Sequence, residues 1–183
     1  MHRQVKKRKA HIMRILLTAL SFLLVCSNAQ GIYLHSNAII SDDSTTVKSL
    51  PCNKMECSVY IIVNKANQRL YVFLDGALLD TFDVSTGMRG HVTPNMEHRF
   101  NGRMYKKYTS KKFPGGDYMG LGNMPYAMFV RGGYAIHGTT LGNIKYLGRP
   151  ASHGCIRLHP DNAKLLYELV EKAGVENTWV SIL

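Results

Sequence analysis

Acidic side chains are scarce in this chain. Only 12 Asp and Glu stand against 23 Lys and Arg across 183 residues, for a formal net charge of +11, and none of the acids falls in the first 29 positions. That balance leaves three readings: nucleic-acid binding, an anionic envelope surface, or a targeting segment that inflates the count. Long apolar runs are absent too. Nothing approaches the ~20 residues of a spanning helix, which excludes a polytopic membrane protein. There is no internal repeat, no low-complexity tract and no CxxC or HExxH zinc motif. Charged residues at 19% with hydrophobic residues at 45% exclude wholesale disorder. The length suits one domain.

The charge that is present is unevenly placed. Arg3, Lys6, Lys7, Arg8, Lys9 and Arg14 precede the stretch Ile15 to Val25, which is apolar apart from Thr18 and Ser21. Ser27-Asn28-Ala29 follows. A basic region, a short apolar region and a small-x-small site predict a secretory signal peptide over 1–29, cut after Ala29. Three other readings stand beside it. One is an uncleaved anchor. Another is a lipoprotein cut before Cys26, where Val25 is bulky for the position. The last is a nucleic-acid-binding arm, which does not account for the apolar stretch. Cleavage removes six positive charges and leaves +5. The expected location is the periplasm or cell envelope, with membrane contact only through the signal and no nucleic acid as partner.

Residues 30–56 read as a linker or irregular segment ahead of a domain over 57–183. Cys52, Cys57 and Cys155 remain after cleavage. In an oxidising compartment, Cys52 and Cys57 either close a small loop or stay as two thiols. Ser58–Asn64 and Arg69–Leu74 predict a hairpin, and Ala77–Ser85 a third strand after the Asp75-Gly76 turn. Residues 86–124 carry no sustained period and are expected to form a long site-lining loop. Pro125–Arg131, Tyr134–Gly138 and Thr178–Leu183 read as strands. Ala163, Leu166, Leu169, Val170 and Ala173 mark one helical face, with Pro160 at its first position and Gly174 at its C-terminal cap. The expected fold is mainly β, mostly antiparallel, with one substantial helix near the C-terminus.

The densest chemistry lies at Arg149–Leu158 (RPASHGCIRL), preceded by His137-Gly138-Thr139. A free thiol is mostly un-ionised at neutral pH, so a nucleophilic Cys155 needs a neighbouring base or cation. His137 and His153 are the available imidazoles. Gly154 permits close backbone approach. The N–H groups of His153, Gly154 and Cys155 are candidates for holding an oxyanion. Arg157, two residues on, shares a strand face with Cys155 and suits a carboxylate. Two rival readings use the same residues. One is a buried cysteine with structural histidines. The other is a zinc site of His137, His153 and Cys155, which lacks a fourth ligand at standard spacing.

His137, fourteen intervening residues, and then Ser152-His153-Gly154-Cys155 resemble the signature of the L,D-transpeptidase (YkuD-type) catalytic domain. Val84-Ser85-Thr86-Gly87, Thr93-Pro94 and Met124-Pro125-Tyr126 resemble further family motifs in the same order, over roughly residues 57–183. The resemblance implies a mixed β-sheet sandwich and no cofactor or metal. It implies Cys155 as nucleophile toward a peptidoglycan tetrapeptide stem, through a thioester that releases D-Ala and is resolved by an amine of another stem. His137 would be the base, its tautomer fixed by the Gly138 carbonyl. Ser152, His153 and Gly154 would shape the site and oxyanion hole. Arg157, Tyr126 and Thr139 would contact substrate, and a loop around 99–124 would cover it. The product would be a 3→3 cross-link. Attachment or release of a wall-anchored protein, or hydrolysis, would use the same residues, and an inert wall-binding module is the non-enzymatic alternative. Asn95-Met96-Glu97-His98-Arg99 departs from the small residues that often follow Thr-Pro in the family.

Overall fold

The computed structural model describes residues 52–100 and 102–183, so the predicted signal peptide and the predicted linker up to residue 51 lie outside the described residues. The last linker residues are built as a closed loop. A disulfide joins Cys52 to Cys57 around a 3-10 turn at Lys54–Glu56.

Three consecutive strands follow: β1 (Val59–Asn64), β2 (Arg69–Leu74) and β3 (Ala77–Asp83). They form an antiparallel meander, Val59 opposite Leu74 and Arg69 opposite Asp83. Its second turn is Asp75-Gly76, with φ of 47° and 80°. Two positive φ values in succession suit an Asp-Gly hairpin turn, where glycine carries no steric penalty. Val59, Ile61 and Val63 of β1 are fully buried, on the alternate positions that a strand turns to one face.

Two strands lie in the segment predicted as loop: β4 (Met96–Arg99) and β5 (Arg103–Tyr105). Beyond them come β6 (Ala127–Arg131), β7 (Tyr134–Gly138), a 3-10 turn at Leu141–Tyr146, β8 (Ile156–Leu158), helix α1 (Pro160–Ala173) and β9 (Thr178–Ile182). One sheet has the order β3-β2-β1-β9-β4 and the other β5-β6-β7-β8.

The sheets are mixed, as the resemblance implies: most strand pairs are antiparallel, as expected, and two are parallel. β9 runs parallel to β1, and β8 runs parallel to β7. Parallel neighbours need a long crossover. Residues 139–155 supply one for β7–β8, and these are the residues that lead into Cys155.

Helix α1 follows its predicted limits. Pro160 stands at its start, the His159 ring accepts a hydrogen bond from the Asp161 N–H, and Gly174 closes it with φ of 90°. Ala163, Leu166, Tyr167 and Val170 are buried, and the helix packs chiefly on β7. One core cluster joins these residues to inward side chains of both sheets, among them Ile61, Val72, Met128, Ile136, Ile156 and Val180. β7 and β8 are therefore fixed from behind by apolar packing, and their opposite face is left for chemistry.

Candidate active site

The parallel register decides what meets. His137 pairs with Arg157 and Ile136 with Ile156. Ile136 and Ile156 point into the core. His137 and Arg157 therefore point the other way, and Cys155, two residues before Arg157, shares their side of the sheet. All three line one cleft of about 1100 Å³, together with Thr139, Ser152 and His153.

His137 is buried, and its Nδ1 lies 2.8 Å from the Gly138 carbonyl oxygen. That contact requires Nδ1 to carry the proton, leaving Nε2 for the cleft. Burial pushes its pKa down to about 4, against the raising effect of the Gly138 bond, so the ring is neutral at neutral pH. The Gly138 backbone is held in turn. Its N–H donates to the Pro125 carbonyl, and a Cβ there would lie 2.9 Å from Pro125 Cγ and 3.0 Å from Pro160 Cα.

Cys155 is half-buried and is the free thiol among the described residues. Burial raises its pKa, opposed by a backbone hydrogen bond from Ala135 and by the charge of Arg157. The resting pair is thus a neutral thiol and a neutral imidazole.

The turn before Cys155 is tied at several points. Ser152 Oγ donates to the Cys155 carbonyl oxygen at 2.5 Å and accepts from the Gly154 N–H at 3.0 Å. The Gly154 N–H is therefore already used, which corrects its inclusion among the oxyanion donors and leaves those of His153 and Cys155. Gly154 itself has φ of 115°, a conformation side chains rarely adopt, with Tyr134 Cε1 3.0 Å from the position of a Cβ. Thr93 Oγ1 donates to the Gly154 carbonyl at 2.7 Å and accepts from the Gly87 N–H at 2.8 Å. Ser85 exchanges two backbone hydrogen bonds with Arg157, and the Ser152 N–H donates to the Thr86 carbonyl. The Val84–Gly87 segment is the rail along which the turn is laid.

Gly87 fits that rail tightly. A Cβ would stand 1.9 Å from the His91 carbonyl oxygen and 2.7 Å from the Thr93 N–H nitrogen. Both are backbone atoms, so no side-chain rotation relieves the clash. Gly87→Ala is expected to destabilise the fold by about 1–3 kcal/mol, read as a lowered midpoint in chemical denaturation.

Arg157 is half-buried, and its guanidinium donates to the Ala151 carbonyl at 3.1 Å. It enters no ion pair among the described residues. Thr139 is buried at the cleft wall, its N–H bonded to the Leu158 carbonyl. No group of three His, Cys, Asp or Glu among the described residues is arranged to hold a metal ion, so His137, His153 and Cys155 do not form the zinc cluster considered above.

One predicted contact is not made. Tyr126 does not line the cleft. Its φ of 56° turns it toward α1, where its ring meets Tyr167 edge-on at 5.8 Å. Met124 lines the cleft instead.

The remaining wall comes from residues 108–115, with Phe113 stacked on His153 at 4.1 Å and 11°. His91 meets the same imidazole edge-on at 5.0 Å. His153 has a lowered pKa, through burial first and then the charges of Arg157, His91 and Lys112. Phe113, His91, Asn123 and the bonds of Thr93 were not found by sequence reasoning. Thr93 was marked only by the resemblance of its Thr-Pro pair, and the rings come together through tertiary contact alone.

Residues 58–182 match the YkuD family, the L,D-transpeptidase catalytic domain. A Bacillus subtilis (strain 168) protein named "Putative L,D-transpeptidase YqjB" is 31% identical over 124 residues, which is 64% of this chain and 69% of that protein. Among solved structures, an L,D-transpeptidase from Mycobacterium smegmatis superposes with a TM-score of 0.57 at 22% identity, over 69% of this chain. One from Stackebrandtia nassauensis gives 0.56 at 24% over 76%, and LdtMt1 in complex with imipenem gives 0.58 at 20% over 69%. This chain spans about three-fifths of each of those structures: 59%, 61% and 59% respectively. These likenesses establish the shared two-sheet fold. The match running from the first strand to the last, with the His137 and Cys155 segments side by side at its centre, places the chain in the L,D-transpeptidase catalytic domain (YkuD) family.

Proposed function

We propose that this protein is a cysteine-dependent L,D-transpeptidase acting on peptidoglycan tetrapeptide stems in the cell envelope. One observation carries the reading. Across the parallel β7–β8 pair, Cys155 and a neutral His137 share one sheet face and open into one cleft, with Nδ1 of His137 already committed to Gly138. Cys155 Sγ attacks the carbonyl between the third residue and D-Ala of the donor stem, and its proton passes to His137 Nε2. The N–H groups of His153 and Cys155 receive the oxyanion. As the C–N bond breaks, His137 returns the proton to the departing D-Ala amine, and a thioester remains. An acceptor amine then attacks the thioester, yielding its proton through His137 to the leaving thiolate. The product is a 3→3 cross-link. Arg157 and Thr139 contact the substrate from the cleft wall.

Export by the N-terminal signal completes the proposal. The Cys52–Cys57 disulfide supports it, because such bonds persist in oxidising compartments. It also keeps two thiols from trapping Cys155.

The test is the muropeptide profile of a strain lacking the gene. Loss of 3→3 dimers, restored by the intact chain, is the expected result. Unchanged dimers with altered protein-linked muropeptides would instead assign the same site to protein attachment or release.

A further inference from the structure

We propose that Lys111 and Lys112 form a second carboxylate-binding subsite, separate from Arg157, which selects donor stems whose remote carboxylate is free rather than amidated. This rests on the transpeptidase reading and specifies its substrate.

The cleft walls, among the described residues, contain no Asp or Glu; their formal positive charges come from Lys111, Lys112 and Arg157. Neither lysine enters an ion pair among the described residues. The sole carboxylate of residues 106–124 is Asp117, and it is turned onto its own loop. Its two oxygens accept from the N–H groups of Gly120 at 2.6 Å and Gly122 at 2.8 Å. Nothing built into the loop neutralises the lysines.

The lysines are also positioned. Asn123 accepts from the Ser110 N–H at 3.0 Å, and its amide donates to the Phe113 carbonyl at 2.5 Å and the Gly115 carbonyl at 3.0 Å. The Ser110 hydroxyl accepts from the Phe113 N–H at 3.1 Å. Lys111 and Lys112 are thus held between two fastened residues. The Lys112 ammonium lies 5.5 Å from the centre of the Phe113 ring, and that ring is the one stacked on His153.

Arg157 and the lysines approach from different elements. Arg157 lies on β8, on the face of Cys155, so it meets the carboxylate next to the scissile bond. The lysines lie on the 108–115 wall and suit a carboxylate further along the stem. A carboxamide offers them a neutral oxygen in place of an anion, and hydrogen bonds to charged groups are the stronger ones.

The experiment uses the full chain with Cys155 reduced. Two synthetic tetrapeptide stems differ only in a free carboxylate or a carboxamide on the third-residue side chain. Single-turnover release of D-Ala is followed over a range of concentrations. The expected result is a preference of about 10–100-fold for the free carboxylate, expressed in half-saturation rather than limiting rate and reduced by added salt. In Lys111→Ala/Lys112→Ala the ratio between stems falls to near one, and in the double Lys→Arg variant it is retained. Equal use of both stems by the native chain would overturn the subsite and leave the transpeptidase reading standing. So would a double alanine variant that keeps the ratio. Release of D-Ala from neither stem would overturn the transpeptidase reading and the subsite together.

Discussion

Cys155→Ala folds as the native chain does and loses D-Ala release from a tetrapeptide stem by at least about 10³-fold, the scale seen when a covalent nucleophile is removed. The side chain is half-buried, and its hydrogen-bond contacts are both with backbone: a 3.7 Å approach to the Gly133 carbonyl and the Ala135 bond described above. Its removal takes away these two contacts alone, and the core behind β8 is supplied by Ile156 and Leu158. Intact-mass measurement after incubation with a carbapenem reads the same point without a substrate. The native chain should gain one adduct and the variant none. An adduct on the alanine variant would refute the assignment of Cys155. The pH profile of acylation gives a second reading. Both partners rest neutral, so kcat/KM should be flat through neutral pH, with its acid limb near 4 from His137 and its basic limb above the ordinary thiol range.

His137→Gln is the second large effect. The loss of the base should reduce acylation by about 10²–10⁴-fold. The same change should also alter stability as a function of pH. In the unfolded chain this histidine takes up a proton near pH 6.5, whereas in the folded chain it does so only at about 4. Between those values the unfolded state binds more protons, so the unfolding free energy rises with pH across the window. The contribution is fully present above about 6.5 and is lost as the pH falls toward 4, and it amounts to roughly 3 kcal/mol. Denaturant titrations of both chains at pH 4, 5, 6 and 7 would measure it. The difference in slope should fall inside that window and vanish above it. A glutamine variant with the native pH dependence would show that His137 is not held neutral by burial.

The sequence made the local elements plain and the long-range ones hard to see. β1 and β2 alternate, and the helix carries Pro160, an apolar face and Gly174, so their limits follow from backbone chemistry. β4 offers one buried residue, Met96, and β5 none. Those strands exist because β9 and β6 present open edges for them, a property of the partners. Parallel pairing is equally invisible, because alternation is the same in both directions. At the site, His137, Ser152 and Cys155 were legible because their types and spacing resemble a family signature. Tyr126 was misplaced because its positive φ reverses the direction that alternation from Ala127 implies. Asn123 was passed over because an asparagine beside glycines reads as an ordinary loop residue, and its three bonds reach eight to thirteen positions back along the chain.

The carbonyl of Gly154 and the N–H of Cys155 belong to a single amide. The carbonyl end accepts from Thr93, whose hydroxyl itself accepts from the Gly87 N–H. Dipoles aligned head to tail polarise one another, by perhaps ~10–30% per bond. Electron density is drawn toward the Gly154 oxygen, and the Cys155 N–H at the other end becomes the stronger acid. A threonine more than sixty residues away in sequence thereby tunes, through bonds rather than space, a donor that it never touches.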